Sequence, residues 1–216
     1  HIIFVFLGGF MMALAMEKWN LHRRIALKLL LWIGVSPGRI LSGFMLVSAF
    51  LSMWISNTAT TMMMIPILMS IVGSLEEQLE GPSIGRYATG LLLAIAYSAS
   101  IGGMSTLVGS PTNLVCPRIL TLLHPGAPDI SFLDWMRFAW PISLVMLLVV
   151  WVVIYLRFRP REEWTGLDRQ HFRKAYDALG KASREEVLVF ILFCGLALAW
   201  ITRKGIDFGS FNLPGW

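Results

Sequence analysis

Charge-free windows alternate with short charged stretches along the whole chain, and the windows set its organisation. Ile2 to Met16 is apolar and predicts a helix. Glu17 to Arg39 follows, with Lys18, Arg23, Arg24, Lys28 and Arg39 against one acid. Its apolar residues Ile25, Leu29, Leu30 and Ile33 recur at helical spacing, which predicts an amphipathic helix lying in the membrane interface. Residues 40–75 carry no charge at all. An acidic link (Glu76, Glu77, Glu80, then Gly81-Pro82) separates them from a second charge-free window, 87–117, and a polar turn follows around His124-Pro125-Gly126. Phe138 to Leu156 is an uninterrupted span. Arg157 to Glu186 is hydrophilic, with eight basic and six acidic residues, and reads as a solvated linker touching lipid headgroups. Val187 to Thr202 closes as a short span. The segments this predicts are 1–35, 36–83, 84–124, 134–158, 159–184, 185–203 and a loop over 204–216.

The window 40–75 fits neither one crossing nor two. A single 36-residue helix would be about 54 Å long against a hydrocarbon core of about 30 Å, and two crossings need about 20 residues each. A polar break, Ser56-Asn57-Thr58, sits in its middle. Two arms of about 16 residues, each reaching roughly 24 Å in from one side, satisfy both facts as a re-entrant hairpin. Charge parity agrees. The basic stretches 17–39 and 157–186 are both expected on the cytoplasmic face, and three candidate segments lie between them, so one must turn back.

The window 87–117 predicts a broken helix. Gly102-Gly103, Ser105-Thr106, Gly109-Ser110-Pro111 and Asn113 cannot sit cheaply inside a continuous helix. An unwound backbone at membrane depth belongs where protein buries it or a polar cavity meets it. Two interrupted segments in succession point to a transporter's substrate site.

Composition narrows the class. The chain is 56% hydrophobic and only 14% charged, with a mean hydropathy of +0.67, against roughly a quarter charged in soluble domains. That excludes an ordinary soluble enzyme and disorder. The net charge of +5 is spread beside apolar segments, as topology signals and not as a nucleic-acid surface. Cys116 and Cys194 lie in or beside apolar runs, so no disulfide framework is implied, and burial there would raise their thiol pKa and quiet them. The four histidines lie away from the span centres and form no ligand cluster. The start at His1 inside an apolar run and the stop at Pro214-Gly215-Trp216 read as a piece of a longer membrane protein.

The chemistry lies at the two breaks. Ser56, Asn57 and Thr58 offer carbonyl and hydroxyl oxygens ahead of a helix whose first N–H groups lack internal partners. The oxygens and the free carbonyls of the preceding arm suit a small hard cation such as sodium. The helix N-terminus suits a carboxylate or sulfate oxygen. The loop from Gly102 to Asn113 repeats this logic. Neither break holds a charged side chain, so a dianion there would be held by dipoles, neutral donors and bound cations. Each motif also has a plainer meaning: Ser-Asn-Thr as a helix cap, and the glycines as close helix packing. The glycine loop lacks the lysine of a phosphate loop, and Met62-Met63-Met64 reads as soft packing.

Ser56-Asn57-Thr58-Ala59-Thr60, followed by an arm with Pro66, resembles the first SNT motif of the divalent-anion/sodium symporters. Tyr97-Ser98-Ala99-Ser100-Ile101-Gly102-Gly103 through Thr106-Leu107-Val108-Gly109-Ser110-Pro111-Thr112-Asn113 resembles that family's unwound fifth helix, in the same order and approximate separation. The resemblance implies an all-α polytopic membrane protein: one inverted repeat of an elevator-type transporter, with a re-entrant helical hairpin and a broken transmembrane helix. It implies sodium-coupled symport of a dicarboxylate such as succinate, in a multi-pass protein of the inner membrane that dimerises at full length. No organic cofactor is implied. Sodium ligands carried over by the resemblance are Ser52, Ser56, Asn57, Gly103, Ser105 and Thr106. Substrate contacts are Asn57, Thr58, Ser105 and Thr106, with Gly102, Gly109, Ser110, Pro111 and Asn113 supporting the loop. The family's second SNT set is absent from this chain, so half a site is expected. A sodium-independent exchanger and a sodium/sulfate symporter share the pattern. A membrane enzyme is disfavoured, since no span offers a nucleophile–base pair; a purely structural subunit is the remaining alternative.

Overall fold

The computed structural model describes residues 2–33, 36–78, 83–160, 170–202, 206–207 and 212–213. The described part is helical apart from a pair of two-residue strands. The elements are α1 (Ile2–Lys18), α2 (Leu21–Ile33), α3 (Pro37–Ser52), α4 (Asn57–Gln78), α5 (Ser83–Met104), α6 (Pro111–Leu123), α7 (Phe132–Phe158), α8 (Gln170–Asp177) and α9 (Arg184–Thr202). Strands β1 (Ile206–Asp207) and β2 (Asn212–Leu213) pair antiparallel. Helices α5, α7 and α9 contain stretches long and apolar enough to cross a membrane. Of the acidic link, residues 79–82 lie outside the described part, as do 161–169 of the hydrophilic linker and most of 204–216.

Helix α5 is the hub, with α3, α4 and α7 packed along it. Tyr87 donates its hydroxyl to Pro37 O (2.6 Å) at one end, and Gly102 meets the Ala49 backbone at the other, so α3 and α5 run parallel. Helix α4 returns antiparallel, bringing Asn57 back to Gly103. Between the three lies the main core, with Leu41, Phe44, Leu51, Met64, Leu68, Leu91 and Ile95 essentially inaccessible. Helix α2 covers α3 with Ala26 and Leu27. In a bilayer, where lipid is as apolar as these side chains, it is their close packing that holds the helices together.

The two arms are unequal. Helix α3 has 16 residues and α4 has 22, because α4 continues past its apolar part (Asn57–Gly73) into the polar residues that follow. Helix α7 starts at Phe132, ahead of the apolar run. Ser131 and Asp134 form a capping box there, which fixes a helix start that hydropathy alone does not mark. The linker is also less free than its composition suggests. Arg24 of α2 pairs with Glu186 (Nη2–Oε2 3.1 Å, Nε–Oε1 3.2 Å) and donates to Gly180 O (2.9 Å) and Leu179 O. The Glu186 carboxylate holds the Arg24 guanidinium above its ordinary pKa. Tyr176 and Leu179 pack on the core behind this contact. Cys116 is exposed on α6 rather than buried.

The α1–α2 joint turns at Asn20, whose φ of 55° is a left-handed conformation that asparagine tolerates. Beyond it His22 is buried, with Nδ1 2.8 Å from Met16 O. Burial pushes the imidazole below its ordinary value of 6.5, against smaller raising contributions from the Met16 carbonyl and Glu17. The unfolded chain therefore binds the extra proton first, and stability present above pH 6.5 is lost as pH falls below it. Thermal midpoints of the whole protein in detergent between pH 5 and 8 should fall on the acid side, and His22→Gln should flatten that part of the curve. A parallel acid slope in the variant would exclude His22 as the cause.

Candidate functional site

Helix α3 ends at Ser52 with backbone bonds Met53 N→Ala49 O, Trp54 N→Leu51 O and Ile55 N→Leu51 O, a tightening turn that uses two of its last carbonyls. Residues 53–56 form the tip. Ser56 then caps α4: its Oγ accepts from Ala59 N (3.3 Å) and its carbonyl from Thr60 N (3.0 Å). With Ser56 doing the capping, the Asn57 side chain is free of that task. Its Oδ1 accepts from Ser52 Oγ at 2.7 Å, which closes the tip on itself.

The opposing loop leaves α5 at Met104. Its fold is set by two side chains. Asn113, buried in the first turn of α6, donates through Nδ2 to Gly103 O (2.8 Å) and Thr106 O (2.7 Å), so one amide holds both ends of the unwound backbone. Thr106, wholly buried, donates to Met53 O and accepts from Gly109 N (3.1 Å). It is a strut from loop to tip. Ser105 Oγ donates to Ile101 O (3.3 Å). Ser110 Oγ pairs with Thr112 Oγ1 (2.9 Å) ahead of Pro111, the first residue of α6.

Two glycines permit the approach. A Cβ on Gly103 would overlap the Asn57 carboxamide, and one on Gly102 would overlap the Ala49 backbone. Gly109 lies on the Ser52 and Gly103 carbonyls, where a Cβ would come within 2.8 and 2.6 Å of their oxygens. The structure thus brings together Ser52, Asn57, Gly103, Thr106 and Gly109, with Ser105 and Asn113 immediately behind them. Ser56 and Thr58 are exposed at the tip; Ser110 and Pro111 begin α6 a few residues on.

Beside the tip lies a slot of about 150 Å³, lined by Phe10 and Glu17 of α1, Trp54 and Ser56 of the tip, and Val108 and Gly109 of the loop, among others. Trp54 was not singled out from the sequence, yet it anchors the tip. It stacks on Trp200 (6.5 Å, 9°) and Phe132 (6.2 Å, 24°) and meets Phe193 edge-on (5.0 Å, 87°). A lone tryptophan in a polar turn was the available signal.

Breaking the strut should be costly. Thr106→Val keeps the volume but leaves Met53 O and Gly109 N buried without their partner, at about 1–3 kcal/mol each. The whole protein's thermal midpoint should drop clearly; an unchanged midpoint would show that tip and loop do not need this bond.

Comparison with known proteins fits this arrangement. The model of the sodium:sulfate symporter transmembrane region matches residues 1–212. The chain belongs to that family. A relative from Staphylococcus saprophyticus, the sodium-dependent dicarboxylate transporter SdcS, is 42% identical over 210 residues, covering 94% of this chain and 40% of the relative. The protein of the same name from Staphylococcus aureus strain USA300 is 40% identical over 208 residues with the same coverage. The chain therefore spans about two-fifths of the length of the curated relatives it matches. As a member of the sodium:sulfate symporter family, with three helices apolar enough to cross a bilayer, it is an integral membrane protein of a transporter family and not a member of an enzyme family.

Proposed function

We propose that the whole protein containing this chain transports dicarboxylates such as succinate by sodium-coupled symport, and that the tip of α3–α4 and the loop after α5 form one half of its binding site. The observation that carries this reading is the contact of Ser52, Asn57 and Gly103 at the meeting of two helix breaks, in a chain 40–42% identical to proteins named sodium-dependent dicarboxylate transporters.

The chemistry follows from the donors. Ser52 Oγ and Asn57 Oδ1, 2.7 Å apart, are both oxygens. A sodium ion drawn between them replaces their mutual hydrogen bond, with Ser56, Ser105 and Thr106 and the Gly103 backbone as further oxygen ligands. Thr106 keeps its donor bond to Met53 O and contributes a lone pair. An ion here neutralises the end of α3 and adds to the positive field at the start of α4. A substrate carboxylate then binds at Thr58 and the Asn57 amide, with Ser105 and Thr106 nearby, without any arginine or lysine. Gly102, Gly109, Ser110, Pro111 and Asn113 support the loop.

In this reading α3 and α4 are the arms of a re-entrant hairpin, each of them packed on α5 and ending at a common tip. The hairpin, α5 and α7 move as one body in an elevator mechanism. The stretches 17–39 and 157–186 face the cytoplasm, and the inner-membrane protein acts as a homodimer. The test is uptake of radiolabelled succinate into proteoliposomes holding the whole protein, under an inward sodium gradient and with potassium in its place. Sodium-dependent uptake is expected. Sodium-independent uptake that rises with internal succinate would instead identify an exchanger, and uptake of sulfate alone would reassign the substrate.

A further inference from the structure

The last four carbonyls of a helix have no partner within it, and at the end of α5 each of them is taken by a donor from outside the helix. Ile101 O accepts from Ser105 Oγ (3.3 Å) and Ser143 Oγ (3.4 Å), and Gly102 O from Ser105 N (2.9 Å). Gly103 O accepts from Asn113 Nδ2 (2.8 Å) and Met104 O from Trp135 Nε1 (3.0 Å). Ser105 and Asn113 belong to the loop and to α6, which follow α5 directly. Ser143 and Trp135 come from α7, and the indole of Trp135 lies 31 positions from the carbonyl it meets.

Met104 stands between Gly103 and Ser105, both read above as sodium ligands. The peptide unit joining Met104 to Ser105 is held at both ends, its N–H on Gly102 O and its carbonyl on the Trp135 indole. A peptide unit is planar, so two fixed ends set its plane and, with it, the direction in which Ser105 leaves the backbone. The Met104 side chain is exposed, so the indole, and not packing of that side chain, fixes this end of the helix. The ring is seated in turn by the cluster of Leu107, Leu114 and Phe132 against which it packs. An indole N–H donates and cannot accept. Trp135 therefore offers a cation no lone pair; it occupies Met104 O and leaves the oxygens on either side to the ion.

We propose that Trp135 is a positioning residue for the sodium site at the meeting of tip and loop. By holding Met104 O, its indole N–H sets the Met104–Ser105 peptide in the orientation that presents Ser105 and the Gly103 carbonyl to the ion. The inference rests on the sodium-coupled reading above and deepens it, adding to the site a residue of α7 that lies in neither helix break. A tryptophan that only anchors its helix at the membrane interface would leave the affinity for the ion unaltered, so the two roles predict different results.

The experiment is the initial rate of succinate uptake by the whole protein in proteoliposomes, at saturating succinate. Sodium is varied against choline at constant ionic strength, and rates are normalised to folded protein. Trp135→Phe keeps an aromatic ring and loses the N–H. The sodium concentration for half-maximal uptake is expected to rise about three- to tenfold, the equilibrium equivalent of one hydrogen bond, while the maximal rate per folded molecule stays at the wild-type value. Trp140→Phe, at an exposed tryptophan of the same helix, is expected to change neither. Should the phenyl ring leave the protein unfolded, 3-benzothienylalanine at position 135, with sulfur in place of the N–H in a ring of the same shape, is expected to give the same rise. Half-saturation at the wild-type sodium concentration in a folded protein without the N–H, or an equal rise in Trp140→Phe, would overturn the positioning role alone. A wild-type protein whose uptake ignores sodium would overturn the symport reading and this role with it.

Discussion

Asn57→Ala is expected to abolish sodium-dependent succinate uptake while leaving the protein folded. The side chain makes one bond at the tip, from Ser52 Oγ at 2.7 Å, and does not cap α4, a task performed by Ser56. Its loss should therefore cost only about 0.5–1.5 kcal/mol of stability. Its role toward a cation is larger. Removing an oxygen that faces a charge costs up to about 3 kcal/mol, which is on the order of a 100-fold loss of uptake. Thermal unfolding and uptake of the same preparation separate the two effects. A variant that unfolds with a much lower midpoint and transports normally per folded molecule would make Asn57 a structural residue.

The second large effect comes from a pair of neighbouring glycines that should fail differently. Gly102→Ala places a methyl group on the Ala49 backbone, which cannot rotate aside. Helices α3 and α5 must separate, so the cost is overpacking of about 1–3 kcal/mol or more, read as a lower midpoint or loss of folded protein. Gly103→Ala places its methyl on the Asn57 carboxamide, a side chain that can turn away. The protein should fold, and the displaced amide should lower sodium-dependent uptake by on the order of 10- to 100-fold, as for loss of one charge-facing contact of 1.5–3 kcal/mol. If Gly103→Ala transports normally, the carboxamide is not needed where the structure places it.

The sequence marks the two helix breaks only approximately: α4 already begins at Asn57, so only Ser56 of Ser-Asn-Thr precedes it, and Gly102-Gly103 stay in the last turn of α5, the break itself running over 105–110 up to Pro111. What those breaks do to each other was less legible. The family resemblance assigns Thr106 a ligand role beside Ser105 and Asn113 a supporting one in the loop. In the structure Asn113 donates to Gly103 O at the end of α5 and to Thr106 O in the loop, Thr106 is the strut to Met53 O, and no local pattern encodes a bond across 53 residues. Trp54 carries the same lesson, since its partners Phe132, Phe193 and Trp200 come from two distant helices. The start of α7 at Phe132 lies two residues before the expected 134, where a capping box written in polar residues sets it. Within the hydrophilic stretch Arg173, Lys174, Asp177, Lys181, Arg184 and Glu185 are exposed, whereas Glu186 is buried against Arg24, a partner 162 positions away that no local pattern encodes.

The most direct measurement is the thermal midpoint of the purified whole protein and its Asn57→Ala variant in sodium chloride and in choline chloride of equal ionic strength. An ion that binds only the folded state stabilises by about 2.7 kcal/mol at a hundred times its dissociation constant. The wild type should show a sodium-specific rise that the variant lacks. A wild type indifferent to sodium, or a variant that retains the full rise, would contradict a sodium site at the meeting of tip and loop.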